Sequence, residues 1–261
     1  MSVPQFIEQR RVDGILLLRL NRPEQRNAIN EQLQQELTDA LFDAAAAPEV
    51  RGIILTGNGD AFCAGADLGR FEGELSTPVF RLYSHTLTQL ITLIERIEKP
   101  IVAAINGLTT GAGTQLALAC DLRVASAEAR FLMREGRIGL IPSHGGCVRL
   151  VRLVGLARAR DILLGGRDLS ADDALHYGLL TDVVPAAELM DAAHARLADA
   201  LQSAPHAYGL AKRLLMLASS VDMESGLVAE SLAQSLLVQS DDHQEGLRAR
   251  RERRAPRFTG T

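Results

Sequence analysis

Residues 99–121 read K-P-I-V-A-A-I-N-G-L-T-T-G-A-G-T-Q-L-A-L-A-C-D, and this stretch decides the fold class. The apolar run 101–105 ends at Asn106-Gly107, which predicts one short buried strand. The small residues 111–113 predict a tight turn, and residues 115–119 predict the start of a helix. A strand, a glycine-rich turn and a helix N-terminus collect unpaired backbone N–H groups and the positive end of the helix dipole. A group that develops negative charge can be held at such a place.

The rest of the chain alternates strand-like and helical patterns, which predicts an α/β fold with a mostly parallel sheet. Further strands are expected at residues 14–20, 52–56, 122–125 and 183–184. Helices are expected at residues 31–47, 79–98, 156–164, 170–177, 186–202, 205–218, 224–238 and 241–254. Asn30 is the expected N-cap of the first helix. Residues 57–67 are interpreted as a loop of small residues.

Composition narrows the class of protein. The chain has 261 residues, is 47% apolar, and contains no uninterrupted apolar run of membrane-spanning length. No signal pattern opens it, so a soluble cytoplasmic protein without a membrane partner is expected. The net charge of −4 argues against binding nucleic acid. Three cysteines at no metal or redox spacing predict reduced thiols, and no metal site is expected.

Three segments carry the functional interpretation. Residues 60–68 read D-A-F-C-A-G-A-D-L, residues 106–117 contain the glycine turn, and residues 129–146 hold A-R-F-L-M-R-E and the G-L-I-P turn. In this order and at these separations they resemble the crotonase family, the enoyl-CoA hydratases and isomerases. The likeness extends to L-N-R-P at residues 20–23 and S-D-D at residues 240–242, and therefore covers nearly the whole chain.

The resemblance implies a crotonase-like spiral of repeated ββα units and a C-terminal helical trimerisation region. The spiral core is assigned to residues 1–200 and the helical region to residues 201–261. An acyl-CoA thioester is the implied substrate, coenzyme A enters only as part of it, and no tightly bound cofactor is expected. A homotrimer or hexamer is the implied assembly, since apolar residues of the last helices need a partner.

The resemblance also implies the site residues. The two oxyanion donors are expected at the backbone N–H groups of Ala64 and Ala112, in loops where a thioester oxygen can approach closely. Glu135 is the expected base, and Gln115 stands where many hydratases carry a second glutamate. The expected coenzyme A contacts are Gln25, Arg26, Ala64, Gly65, Ala66, Asp67 and Gly111. Residues 69–77 are expected to line the acyl tunnel.

One carboxylate suits a proton shuttle, because Gln115 can hold a group by hydrogen bonds but cannot take a proton. A Δ3-Δ2 enoyl-CoA isomerase is therefore slightly favoured over a 2-enoyl-CoA hydratase. An acyl-CoA hydrolase or decarboxylase and a non-catalytic acyl-CoA-binding protein remain as alternatives. His144, in the turn after Pro142, is either a second acid/base or a plain polar contact of its loop.

Overall fold

The computed structural model describes residues 5–71 and 76–261. Strands in this part of the chain are β1 (Ile7–Val12), β2 (Ile15–Leu20), β3 (Gly52–Gly57), β4 (Ala61–Cys63), β5 (Ile101–Ile105), β6 (Leu108–Thr110), β7 (Leu122–Ser126), β8 (Arg130–Leu132), β9 (Leu169–Ser170) and β10 (Asp182–Val184). The α-helices there are α1 (Glu31–Ala46), α2 (Thr77–Arg96), α3 (Ala112–Ala119), α4 (Gly146–Val154), α5 (Leu156–Leu163), α6 (Ala171–His176), α7 (Leu189–Ala200), α8 (Pro205–Ala218), α9 (Met223–Leu237) and α10 (Asp241–Glu252).

The strands form two sheets. The larger has the order β1-β2-β3-β5-β7-β10 and is parallel except for the β1–β2 pair. The smaller has the order β4-β6-β8-β9. Along the chain, β3-β4-α2, β5-β6-α3 and β7-β8-α4 repeat one ββα unit, whose first strand enters the large sheet and whose second enters the small one. This arrangement confirms the predicted fold class.

The large sheet is covered on both faces, which explains why β3 and β5 are buried along their whole length. Ile54 and Val102 face α7, where they pack with Leu197. Their neighbours Ile53 and Leu55 belong to the main core on the other face. Burying one such leucine or isoleucine contributes roughly 1.5–3 kcal/mol, so both faces stabilise the sheet.

The predicted elements agree with the structure where apolar periodicity is long. Asn30 caps α1, and its Oδ1 accepts from the Leu33 N–H at 2.8 Å. Strands β4, β6, β8 and β9 were not predicted, because each has only two or three residues and too little pattern. Residues 57–67 were predicted to be a loop throughout, but Ala61–Cys63 within this segment form β4.

Two longer elements were also missed. Five of the six β1 residues are exposed and polar residues dominate this edge strand, so it lacks an apolar pattern. Helix α4 begins at Gly146, directly after a turn that contains proline and glycine, and those residues obscured its start.

The chain after α7 is helical, as predicted. The side chain of Lys212 on α8 donates to Asp121 at 2.9 Å and to the Ile94 carbonyl at 3.0 Å, which ties α8 to the core. Helix α9 leaves large apolar side chains exposed, with Leu232 at 63% and Leu236 at 69%. The division at residue 200 and the assembly built by these helices stay predictions.

Candidate active site

A cavity of about 570 Å³ lies where the loop after β4, the N-terminus of α3, the turn after β8 and α2 meet. Small, polar and large apolar residues line it together: Ala64, Gly65, Ala66, Leu68, Phe80, Tyr83, Thr110, Gly111, Ala112, Gln115, Arg134, Glu135, Ile138, Gly139, Leu140, Ile141, Ser143 and His144. The three sequence segments that carry the resemblance thus converge on one cavity.

The N-terminus of α3 supplies backbone donors to this cavity. Gly111 precedes the helix with a φ of +52°, which allows the sharp turn out of β6. The first hydrogen bond back into the turn runs from the Gln115 N–H to the Gly111 carbonyl at 3.2 Å. Ala112 is the first residue of the helix, so its N–H has no carbonyl one turn earlier to bond. The predicted donor at Ala112 therefore lies at the wall of the cavity, next to the positive end of the helix dipole.

The hydrogen bonds of the loop after β4 contradict the prediction that Ala64 supplies the second oxyanion donor. The Ala64 N–H donates to the Arg26 carbonyl at 2.9 Å, so this donor is already used inside the protein. Ala66 instead forms an isolated parallel bridge with Ile29. In that bridge the Ile29 N–H donates to the Gly65 carbonyl at 2.7 Å, and the next N–H along the loop donates to the Ile29 carbonyl. The N–H of Ala66 therefore faces away from Ile29, and Ala66 lines the cavity.

Gly65 brings these two loops into contact. Its φ of +91° is open only to glycine at low cost. A Cβ at this position would lie 2.9 Å from the Thr110 carbonyl oxygen and 3.3 Å from the Ala112 nitrogen. The backbone of one loop thus packs directly on the turn that opens α3.

Glu135 opens the short 3-10 turn Glu135–Ile138 after β8. Both its carboxylate oxygens are buried and have no hydrogen-bond partner among the residues that the structure describes. A Cβ at Gly111 would lie 3.8 Å from its Oε1, so the carboxylate sits beside the α3 turn. Burial raises the pKa of Glu135 above its ordinary value. Such a group can take up and release a proton in the cavity more readily near neutral pH.

Gln115 lies one turn into α3 and is 2% exposed. Its side-chain oxygen has no partner within the described part of the chain. The amide nitrogen lies against the start of α4, where a Cβ at Gly146 would be 2.9 Å from it. Gln115 can therefore orient a water or a substrate group, but it does not titrate.

His144 belongs to the turn that leads into α4 and has a φ of +54°. Its Nδ1 lies 3.0 Å from the Thr88 hydroxyl on α2. Its carbonyl accepts from Arg149, whose guanidinium pairs with Glu95 on α2. Burial lowers the pKa of His144, and this effect outweighs the opposing contact with the Ser84 carbonyl. The ring is therefore neutral at pH 7.

The predicted coenzyme A residues fall into three groups. Gly65, Ala66 and Gly111, together with Ala64, line the cavity. Asp67 pairs with Arg22 at 3.0 Å, so its carboxylate also holds the loop in place. Gln25 and Arg26 are exposed on and after the 3-10 turn Pro23–Gln25, outside the lining. Of the predicted tunnel, residues 72–75 lie outside the described residues.

The sequence did not predict Phe80 and Tyr83 as contributors to this site, and it predicted Ala66 as a coenzyme A contact but not as a backbone donor. Ala66 is one of several small residues in its loop, and only the bridge to Ile29 distinguishes it from Ala64. Phe80 and Tyr83 line the cavity from α2. Their spacing of three residues on one helix face was the available signal for these two side chains.

Metal-ligand clusters and membrane-spanning helices are both absent from the described residues. No group of three or more histidine, cysteine, aspartate or glutamate side chains there is arranged to hold a metal ion. None of the helices in residues 5–71 and 76–261 combines the length and the apolar character needed to cross a bilayer.

Known proteins resemble this chain in sequence and in structure. A sequence model of the enoyl-CoA hydratase/isomerase family matches residues 10–261. A 2,3-dehydroadipyl-CoA hydratase of Escherichia coli is 36% identical over 251 residues, which cover 96% of this chain and 97% of that protein. A 1,2-epoxyphenylacetyl-CoA isomerase of Escherichia coli is 34% identical and covers 98% and 99%. The crystal structure of an enoyl-CoA hydratase from Bacillus anthracis superposes with a TM-score of 0.94 at 35% identity, covering 98% of this chain and all of that one.

Proposed function

Because the chain belongs to the enoyl-CoA hydratase/isomerase family, we propose that it shifts the double bond of an enoyl-CoA thioester from Δ3 to Δ2 through a bound enolate. The observation that carries this proposal is the pair Glu135 and Gln115. Among the residues that the structure describes, the cavity holds one buried, unpaired carboxylate, and an amide stands where a second carboxylate would serve hydration.

The oxyanion site is assigned to the backbone N–H groups of Ala66 and Ala112. Both residues line the cavity, and their loops are in contact through Gly65. A thioester oxygen between the two donors would be stabilised as it gains negative charge, because the donors are held in place before the reaction begins. The positive end of the α3 dipole adds to this stabilisation.

The proton shuttle is assigned to Glu135. Its carboxylate removes a proton from C2, and the electron pair of that C–H bond moves into the thioester, which becomes a dienolate. The carboxylic acid then returns the proton to C4, which leaves the double bond between C2 and C3. The raised pKa favours this cycle, because the protonated intermediate form of Glu135 is less costly than for an exposed glutamate.

Hydration of 2-enoyl-CoA is the second candidate, and the names of several relatives favour it. The Escherichia coli protein at 36% identity and one from Clostridium acetobutylicum at 33% are both named as hydratases. In this chain Glu135 would have to activate the water and protonate C2 in turn, with Gln115 orienting the water. Those steps are chemically complete, but Glu135 alone must act both as the base for the water and as the acid for C2.

Assays of both reactions in matched variants separate the two candidates. Glu135→Gln should lower isomerisation by about 10²–10⁴, the usual contribution of a positioned acid/base. Gln115→Ala should cost less, because the amide only orients. Gln115→Glu should raise hydration relative to isomerisation, because two carboxylates at one site have pKa values that are driven apart. Efficient hydration by the unmodified protein without isomerisation would overturn the isomerase proposal.

The remaining parts of the proposal concern binding and assembly. Coenzyme A is proposed to contact the loop 64–67 and Gly111, with Arg26 as a phosphate partner on the surface. A trimer or hexamer in the cytoplasm is proposed as the working form, supported by the exposed apolar face of α9. Unchanged coenzyme A affinity in Arg26→Ala, or a monomer at micromolar concentration in light scattering, would refute the respective part.

A further inference from the structure

We infer that His144 determines which acyl groups are accepted, because its Nε2 offers a hydrogen-bond acceptor to a hydroxyl on the acyl part of the thioester. This inference rests on the proposed function, since it names a feature of the acyl-CoA that the same cavity binds. It concerns recognition of the substrate rather than the proton transfer assigned to Glu135.

The tautomer of His144 follows from its neighbours on α2. The Thr88 hydroxyl donates its only proton to the Ser84 carbonyl, at 2.7 Å. The same hydroxyl oxygen lies 3.0 Å from the Nδ1 of His144 and can only accept there. Nδ1 therefore carries the proton, and in a neutral imidazole Nε2 carries the lone pair.

The ring is held in place from two sides. Its Nδ1–H is bonded to α2 through Thr88, and the backbone carbonyl of His144 accepts from Arg149. Arg149 is 9% exposed and makes two bonds of 2.6 Å to Glu95, also on α2. The left-handed φ of +54° at His144 is a conformation that costs free energy in a non-glycine residue. These contacts keep the imidazole fixed against the α2 wall of the cavity.

Nε2 is the polar atom of His144 that remains for a ligand. His144 lines the cavity next to Ser143, and within the described residues its ring contacts α2 through the Nδ1–Thr88 hydrogen bond and the Ser84 carbonyl. Among the described residues, Arg134 and Glu135 line the same cavity as His144, while Arg149 bonds the His144 carbonyl and is paired with Glu95. Burial lowers the pKa of the ring, so Nε2 is a weak proton acceptor at neutral pH but remains a hydrogen-bond acceptor.

The chemistry of the preferred acyl group follows. A lone pair attracts a hydroxyl or phenol proton and repels a carboxylate, which has only acceptors. A buried acceptor left without a donor costs free energy, so an acyl group lacking the hydroxyl binds less well. Phe80 and Tyr83 line the same cavity and suit a flat ring. The substrate class is a hydroxyl-bearing enoyl-CoA thioester, aromatic or aliphatic.

The test compares matched thioesters in the whole protein. The aromatic series is 3-phenylpropenoyl-CoA with its 2-, 3- and 4-hydroxyphenyl and methoxyphenyl analogues, whose double bond cannot move and which serve as ligands or as substrates of hydration. The aliphatic series is 3-hexenoyl-CoA, a substrate of the proposed isomerisation, with its 5- and 6-hydroxy derivatives. Each is measured by kcat/KM and, where it is not turned over, by its inhibition constant against a short enoyl-CoA. At least one hydroxylated compound should exceed its unsubstituted and methoxy partners by about 10-fold or more.

Three variants assign that preference to His144. In His144→Asn, which tolerates a positive φ but does not extend as far as an imidazole, the ratio should fall to about 1. His144→Leu should give the same ratio. His85→Asn changes an exposed histidine of α2 and should keep the full ratio. The ratio is independent of any general loss of activity in a variant.

The outcomes separate the inference from the function. If no hydroxylated thioester is preferred in the unmodified protein, or if the preference survives in His144→Asn, the inference is overturned while turnover of enoyl-CoA still stands. If neither series nor the short enoyl-CoA is converted or bound, the proposed function itself fails. A loss in His144→Asn that is equal for both members of each pair would overturn the inference and assign His144 to the general chemistry instead.

Discussion

Replacing Gly65 by alanine tests the arrangement of the two loops that hold the proposed oxyanion site. Gly65 lies between the loop after β4 and the turn that opens α3. Its Cα faces the Thr110 carbonyl and the Ala112 nitrogen. The substitution adds one methyl group and no polar atom. Any effect on activity therefore comes from the positions of the backbone groups.

The magnitude follows from the geometry. The φ of +91° costs an alanine roughly 1–2 kcal/mol that glycine does not incur. The new Cβ would lie 2.9 Å from the Thr110 oxygen, so one loop must move by a few tenths of an ångström. A displacement of about 1 Å at a reacting centre costs on the order of 10² in rate. We therefore expect kcat/KM to fall by about 10-fold and the free energy of unfolding to fall by about 1–2 kcal/mol.

Steady-state kinetics with 3-enoyl-CoA and 2-enoyl-CoA, together with urea unfolding, measure both effects. Gly226→Ala in α9 is the matched control, since its Cβ would be 3.9 Å from the nearest atom, a side-chain carbon of Val221, and its φ is not positive. It should keep activity and stability. A folded Gly65→Ala protein with kcat/KM within two-fold of the unmodified enzyme would refute the reasoning.

Three further predictions follow from buried groups. Because burial raises the pKa of Glu135 above 4.5, the base should become protonated, and isomerisation should be lost, at a higher pH than an exposed glutamate would allow. An acidic limb of the pH–rate profile at or below 4.5 would contradict the assignment of Glu135 as the base. Lys212→Met leaves the buried Asp121 without its ion-pair partner and should destabilise the protein by about 3–5 kcal/mol in urea unfolding. Arg11→Met, at an exposed ion pair, should leave the stability nearly unchanged, and equal effects of the two variants would refute the role of the buried pair. Burial raises the pKa of the Cys63 and Cys120 thiols to about 12, so a thiol reagent should label Cys147 alone in the native protein and all three cysteines after unfolding. Labelling of all three cysteines in the native protein would be incompatible with this packing.

The amino-acid sequence by itself determined the elements with long periodic patterns. The buried strands β3 and β5 were predicted because a short run of apolar residues bounded by turn signals has few alternatives to a covered strand. Helices α1, α8 and α9 were predicted within one or two residues, because capping chemistry and apolar spacing act locally. The order of the motifs also predicted that Glu135 and Gln115 belong to one site, and both side chains line the same cavity.

Only the tertiary structure decided which backbone donor of the loop 64–66 is available. Ala64 and Ala66 are the same residue type in the same loop, and the contacts with Arg26 and Ile29, nearly 40 positions earlier in the chain, distinguish them. The tautomer of His144 was likewise beyond the sequence, because it depends on where Thr88 sends its proton, 56 residues away. Local pattern specifies elements, whereas the use of each polar group depends on which distant partner the packing brings to it.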